Sequence, residues 1–297
     1  MTDAPERPAP APDGIVVVDK PAGWTSHDVV ARMRRLAHTR KVGHAGTLDP
    51  MATGVLLVGV GRATRLLGHL ALTEKTYDGT IRLGVTTTTD DAEGEALVIA
   101  PAGGVSEAAI VAATEPLTGA IQQVPPQVSA IKVDGQRAYK RARAGEDVAM
   151  LARPVTVHEL SVLEVRRGGA TVDVDVRVRC SSGTYIRSLA RDLGEALGVG
   201  GHLAALRRTA VGPFTLDAAR TLDELAEDCV VVPLGGVVAS TFPRRDVDVA
   251  EAARVAHGGT LPSSGTDGVV GVFGPDGAVL ALFADRDGAA RPLVVFV

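Results

Sequence analysis

The clearest periodicity in the chain lies at Thr171–Cys180, where Val172, Val174, Val176 and Val178 alternate with Asp173, Asp175, Arg177 and Arg179. A two-residue repeat sends successive side chains to opposite faces, so this segment predicts a strand with one buried face. Residues 14–19 and 55–60 are short unbroken apolar runs beside turn residues and read as buried strands. Residues 75–83 read as a further strand. Between the first two runs, Val29, Val30, Met33 and Leu36 recur at helical spacing, with Arg32, Arg34 and Arg35 on the other face. Thr25 or Ser26 can cap that helix. Short helices are predicted over 63–70 and 107–113, a polar loop over 86–94, a short strand over 128–133 and a basic helix over 137–144. A helix over 185–197 gives way to the glycine-rich loop 198–201.

Strands and helices do not alternate in regular βαβ units, which predicts an α+β sheet rather than a doubly wound one. Pro243-Arg244-Arg245 reads as a boundary. Beyond it a helix near 250–257 and short strands at 268–273, 278–283 and 292–297, set off by Gly/Asp turns, predict a small β-rich unit. The organisation expected is therefore a disordered Pro/Ala-rich tail over 1–13, a main domain over 14–242 and a small domain over 243–297.

Composition narrows the class. The chain is 45% hydrophobic and can bury a sizeable core, yet only 3% aromatic, so each of its three tyrosines deserves individual inspection. Cys180 and Cys229 form neither a disulfide framework nor a zinc spacing and fit a reducing cytoplasm. No apolar run nears the roughly 18 residues that a membrane-spanning helix needs, and no secretory signal is read.

Net charge is −4, but it is unevenly spread. Residues 20–75 hold nine Lys/Arg against three Asp/Glu, and residues 132–153 hold six against three. Residues 85–118 hold six acids and no base, and residues 246–297 seven acids against three bases. A polyanion is drawn to the first two zones and repelled by the others.

The candidate chemistry begins at Asp49. The string Gly43-His44-Ala45-Gly46-Thr47-Leu48-Asp49-Pro50-Met51-Ala52-Thr53-Gly54 places one carboxylate in a glycine-punctuated turn directly before the 55–60 strand. Pro50 restricts Asp49 to an extended backbone, and the glycines let the chain bend. An acid presented this way is well placed to act as a nucleophile. A glycoside hydrolase would normally need a second carboxyl flanking the bond, and residues 43–61 contain none.

That string resembles the catalytic motif of the TruB family of tRNA pseudouridine synthases, in which the Asp of the G-T/A-L-D-P element is the nucleophile. Further blocks occur in the family order. Asp19-Lys20-Pro21-Ala22-Gly23-Trp24-Thr25-Ser26 is similar to D-K-P-x-G-x-T-S, Lys75-Thr76-Tyr77 to K-x-Y, and Cys180-Ser181-Ser182-Gly183-Thr184-Tyr185-Ile186-Arg187-Ser188 to C-S-x-G-T-Y-I-R-S/T. Val124-Pro125-Pro126-Gln127-Val128-Ser129-Ala130-Ile131-Lys132, the Gly135 to Tyr139 stretch and Leu206-Arg207-Arg208-Thr209 also resemble family elements. The resemblance runs from Gly14 to about Pro213.

The resemblance implies a pseudouridine synthase fold: a central mixed, mainly antiparallel sheet flanked by helices, plus a small C-terminal β-rich unit similar to the PUA module. It implies isomerisation of uridine to pseudouridine at position 55 in the T loop of tRNA, with base flipping and no cofactor or metal. Arg187 would pair with Asp49. Tyr77 would pack on the flipped uracil and Tyr185 would line its pocket. Lys20 would lie beside the pocket and support the Asp49 loop. His44 would take the place of the departed base, and Leu206 would lie under it, with Arg207 and Arg208 facing RNA or structure. Ser181–Thr184 would cap the helix presenting Tyr185 and Arg187. Lys132, Arg137, Lys140, Arg141 and Arg143 would contact RNA phosphates from an arm closing over the tRNA. A monomer is usual for the family. The acidic residues after 241 count against tRNA contact there. The competing reading is a non-catalytic RNA-binding or tRNA-folding protein using the same grip.

Overall fold

The computed structural model describes residues 9–127, 132–133, 136–137 and 150–297, the two short pieces in backbone only. The chain opens with strand β1 (Gly14–Lys20), helix α1 (Ser26–Leu36), strand β2 (Val42–Ala45) and strand β3 (Thr53–Val60). Val16 and Val18 of β1 point to one side of the sheet with Leu56 and Val58 of β3, and Ile15 and Val17 point to the other with Val55 and Leu57. Both faces are buried, which is why these two strands are unbroken apolar runs rather than alternating ones. Thr25 caps α1 through a reciprocal pair with Asp28, and Val29, Val30 and Met33 go into the core.

Strand β2 was not evident in the sequence: His44 lies in a strand, paired with Val58, rather than in an irregular loop. Gly61–Leu66 then forms a 3-10 turn that runs into the helical Leu67–Leu70. Strand β4 (Lys75–Leu83) follows as predicted. The segment expected to be a polar loop is partly paired: β5 (Val85–Thr87) bonds to β6 (Ala96–Ile99), and the residues between them turn back toward the main sheet. Helix α2 (Glu107–Thr114) and strand β7 (Gly119–Gln123) come next.

Strands β8 (Lys132–Val133) and β9 (Gln136–Arg137) pair antiparallel. Arg137 was expected to open a helix; its backbone is instead in a strand. The rest of that predicted helix, with Tyr139, Lys140, Arg141 and Arg143, lies outside the described residues.

Strand β10 (Arg153–Gly168), β11 (Thr171–Cys180), helix α3 (Ile186–Ala196), β12 (Gly201–Val211), β13 (Phe214–Thr215) and β14 (Val232–Pro233) complete the main sheet. Its strand order is β14-β1-β3-β12-β4-β11-β10-β7, with β2 beside β3 and β13 beside β12. Every pairing is antiparallel except β3 with β12. Helices accompany this mixed sheet, so the fold is α+β as expected. Val172, Val174, Val176 and Val178 of β11 are all fully buried. Their polar alternates form cross-strand pairs: Asp173 with Arg82, Asp175 with Arg166, Arg177 with Asp78 and Arg179 with Glu74. These half-exposed pairs set register more than they stabilise.

Beyond helix α4 (Leu234–Thr241), the C-terminal strands β15 (Arg244–Asp246), β16 (Leu261–Pro262), β17 (Val269–Phe273), β18 (Val279–Arg286) and β19 (Ala289–Val295) form a second sheet, ordered β15-β17-β18-β19-β16. Phe273 and Leu282 from this sheet, and Phe296 directly after β19, pack into the same cluster as Ile15, Val55 and Leu57. Arg62 and Arg65 donate to the carbonyls of Phe296 (2.7 Å) and Val295 (2.6 Å). None of the described helices is long and apolar enough to cross a membrane.

Candidate active site

The edge of β3 opposite β1 is shared. β2 borders residues 57–60, and β12 borders Thr53 and Gly54. The loop carrying Asp49 leaves the sheet between them. Gly46 (φ +79°) and Gly54 (φ +97°) sit at its two ends in backbone conformations that favour glycine. At Gly54 a Cβ would also lie 2.2 Å from the Arg208 carbonyl oxygen, so β12 could not approach a larger residue.

Both neighbours of Asp49 are tethered. Leu48 exchanges two hydrogen bonds with the buried Ser26 hydroxyl, its N–H donating at 2.9 Å and its carbonyl accepting at 3.2 Å. The Pro50 carbonyl accepts from Gly23 N–H at 2.8 Å and from Lys20 Nζ at 3.2 Å. Lys20 is fully buried and donates also to the carbonyls of Trp24 (2.6 Å) and Pro21 (3.0 Å). Burial pulls its pKa down to about 8, against the attraction of Asp49. Lys20 thus joins the first turn of the chain to the Asp49 loop from beneath.

Arg187 enters from the first turn of α3 and is 5% exposed. Its Nε lies 3.0 Å from Asp49 Oδ2, and its Nη2 donates to Oδ1 at 3.4 Å. Its remaining nitrogen, Nη1, donates to the Thr89 carbonyl at 2.9 Å and lies 3.3 Å from Asp91 Oδ2. Asp91 is itself buried and is held by the Thr89 hydroxyl (2.5 Å) and the Glu93 N–H (3.0 Å). Burial raises the Asp49 pKa above the ordinary carboxylate value; Arg187 opposes the rise and Asp91 adds to it.

The helix start differs from the expected capping. Tyr185 occupies the N-cap without a side-chain cap, while the Thr184 hydroxyl donates back to the Ser181 carbonyl in the preceding turn. Gln123 supplies what a cap would: its Oε1 accepts from Tyr185 N–H (2.8 Å) and its Nε2 donates to the Tyr185 carbonyl (3.1 Å). The amide of a β7 residue therefore sets where Tyr185 and Arg187 begin.

Asp49, Tyr77, Tyr185, Arg187 and Leu206 line one cavity of about 270 Å³. Tyr77 is buried, which raises its pKa, with Arg208 working the other way. Lys75, two residues before Tyr77 on the same strand face, lines it too and is pulled to about pH 8 by burial. Lys20 and His44 do not line the cavity. Lys20 is spent on three carbonyls under the loop. His44 sits half-buried on β2, its ring edge-on to His27 at 5.3 Å between centroids, and burial lowers its pKa. Arg207 pairs with Asp19 and keeps 41% of its side-chain exposure, whereas Arg208 is fully buried and lines the same cavity. Lys132 and Arg137 are described in backbone only. Among the described residues no group of three or more His, Cys, Asp or Glu could hold a metal ion.

Three residues here were given no role from the sequence. Lys75 was quoted only as the first residue of the K-x-Y element. Asp91 and Gln123 carry no signal, because only the tertiary fold turns them toward α3.

Comparison with known proteins bears on this geometry. Residues 34–186 match the family described as TruB family pseudouridylate synthase (N terminal domain). The chain belongs to the TruB family. Residues 187–233 match the tRNA pseudouridylate synthase B C-terminal domain, and residues 242–297 match tRNA Pseudouridine synthase II, C terminal. A tRNA pseudouridine synthase B of Thermobifida fusca is 67% identical over 288 residues, covering 96% of this chain and 98% of that one. Another from an Arthrobacter species is 58% identical over 294 residues, covering 95% and 96%. Among solved structures, a Cbf5-Nop10-Gar1 complex superposes with a TM-score of 0.74 at 29% identity, covering 96% of this chain and 85% of that chain. An H/ACA RNP bound to a substrate RNA containing 2'-deoxyuridine gives 0.72 at 28% identity, with the same coverage. This TruB-family chain is an enzyme, a pseudouridine synthase.

Proposed function

We propose that this TruB-family enzyme isomerises uridine to pseudouridine at position 55 in the T loop of tRNA, with Asp49 as the acting carboxylate. The observation that carries the reading is the Asp49–Arg187 ion pair in a cavity of about 270 Å³ between Tyr77, Tyr185 and Leu206. That volume lies just below the range of drug-sized pockets and suits one extruded nucleoside. The reaction breaks the N1–C1′ bond, turns the uracil in place and joins C5 to C1′, while the C5 hydrogen is replaced by one on N1. No electrons and no foreign group enter.

Asp49 supplies negative charge beside the reacting ring, either by attack at C1′ or C6 or by stabilising charge at C1′. Arg187 orients it through two nitrogens. Tyr77 and Tyr185 hold the flipped base, and Leu206 supports it. The substrate assignment draws on the relatives' names, which specify tRNA. Residues 14–242 carry the chemistry in this reading, and residues 243–297 form the small C-terminal domain. Lys132, Arg137, Lys140, Arg141 and Arg143 contact phosphates.

The test is a single-turnover reaction on an unmodified tRNA transcript, mapping pseudouridine at every uridine. One modified position, 55, is the expected result. Tight binding without any modification would leave the non-catalytic RNA-binding reading in its place, and modification only outside the T loop would refute the substrate assignment.

A further inference from the structure

Arg208 is fully buried, and its hydrogen bonds to Val55 and Gly46 run to main-chain carbonyls rather than to a carboxylate. A buried cation is costly, so its hydrogen bonds must repay the loss of water. Nε donates to the Val55 carbonyl at 2.6 Å, and Nη2 donates to the Gly46 carbonyl at 3.0 Å. These two carbonyls lie at the two ends of the Asp49 loop. A Cβ built on Gly46 would lie 3.5 Å from Arg208 Nη1, so the loop rests directly on the guanidinium.

The main chain adds two constraints. Arg208 is in register with Gly54 on β3 and with Tyr77 on β4. One residue of β12 therefore touches the start of the Asp49 loop, its end and the strand position of the pocket tyrosine. Its side chain lines the cavity and shares a hydrogen bond with the Tyr77 side chain, and its charge also reaches Lys75, Lys20 and His44.

We propose that Arg208 is a positioning residue: its guanidinium clasps both ends of the 46–55 loop and fixes the distance between Asp49 and the pocket residue Tyr77. The inference rests on the proposed isomerisation. Arginine is required because its rigid fork reaches two carbonyls at once, whereas lysine presents a single flexible point charge.

The experiment compares wild type, Arg208→Lys and Arg208→Met by single-turnover rate on tRNA, by tRNA affinity and by thermal unfolding. Met is the neutral variant of similar length, which removes the cost of a buried charge. The expected result is a folded Lys or Met variant that binds tRNA within about threefold of wild type yet isomerises it about 10²-fold more slowly, the penalty for a misplacement near 1 Å. A folded variant with wild-type rate overturns the proposal. Loss of affinity in parallel with rate overturns it as well, since the residue would then serve RNA binding. Failure of both variants to fold would make Arg208 a residue of the fold rather than of the loop. An inactive wild type in the same assay would instead count against the isomerisation itself.

Discussion

Arg187 stands between two carboxylates, its Nε 3.0 Å from Asp49 Oδ2 and its Nη1 3.3 Å from Asp91 Oδ2. Asp49 reaches the cavity and keeps 36% of its side-chain exposure, whereas Asp91 is 4% exposed. The inner carboxylate therefore anchors the guanidinium, and the outer one is presented by it. Arg187→Lys leaves a charge but cannot span both acids. Its single-turnover rate is expected to fall about 10²-fold, with tRNA affinity little changed. A rate near that of wild type would show that the two-acid geometry is dispensable.

The pH profile follows from the same arrangement. In the proposed reaction Asp49 acts as a carboxylate; its pKa is raised by burial, so the rate should fall on acidification at a higher pH than an ordinary Asp would give. Asp91 adds to that rise. Asp91→Asn removes its charge, so the acid limb should move to lower pH. The plateau should drop between about tenfold and 10²-fold because Arg187 loses its inner anchor. An acid limb that stays in place would contradict the coupling of the two acids.

Stability at alkaline pH carries a further sign. Burial pulls the pKa values of Lys20 and Lys75 down to about 8 from the ordinary lysine value of 10.5. From about pH 8 upward the folded chain releases these protons while the unfolded chain keeps them, so these groups make stability rise with pH. Cys180, raised from 9.0 to about 11, works the other way above pH 9. Denaturation midpoints should therefore increase between pH 8 and 9, and the increase should shrink in Lys20→Met. A decrease over that interval in the wild-type protein would contradict the burial of these two ammonium groups.

Phe296 is 2% exposed and shares a cluster with Ile15, Val55 and Leu57. Phe296→Ala is expected to cost about 3 to 5 kcal/mol in equilibrium unfolding, through one cooperative transition. A separate early transition of the C-terminal sheet would mean that this shared core does not couple the two sheets.

Much of this was legible in the sequence wherever burial has a simple period. Strand β11 shows one buried face, and strands β1 and β3 show two. Strand β10 was not read because bulges between Val157 and Glu159 and between Val162 and Glu164 interrupt its repeat. Strand β12 was missed for the same reason, and because it buries an arginine. At the site, Asp49 and Arg187 were found through motifs, although 138 residues separate them. Asp91 was hidden by charge counting. Residues 85–118 read as an acidic face that repels a polyanion, yet the turn between β5 and β6 brings Thr89 and Asp91 inward onto Arg187. Local charge balance does not report which way a turn faces.

The central claim is tested most directly by Asp49→Asn, which keeps the size of the side chain and the tethered loop but removes the charge. Single-turnover pseudouridine formation and tRNA affinity should be measured side by side with wild type. Abolished isomerisation with affinity largely retained is the expected result. Pseudouridine formed by Asp49→Asn at a rate near that of wild type would contradict the assignment of Asp49 as the acting carboxylate.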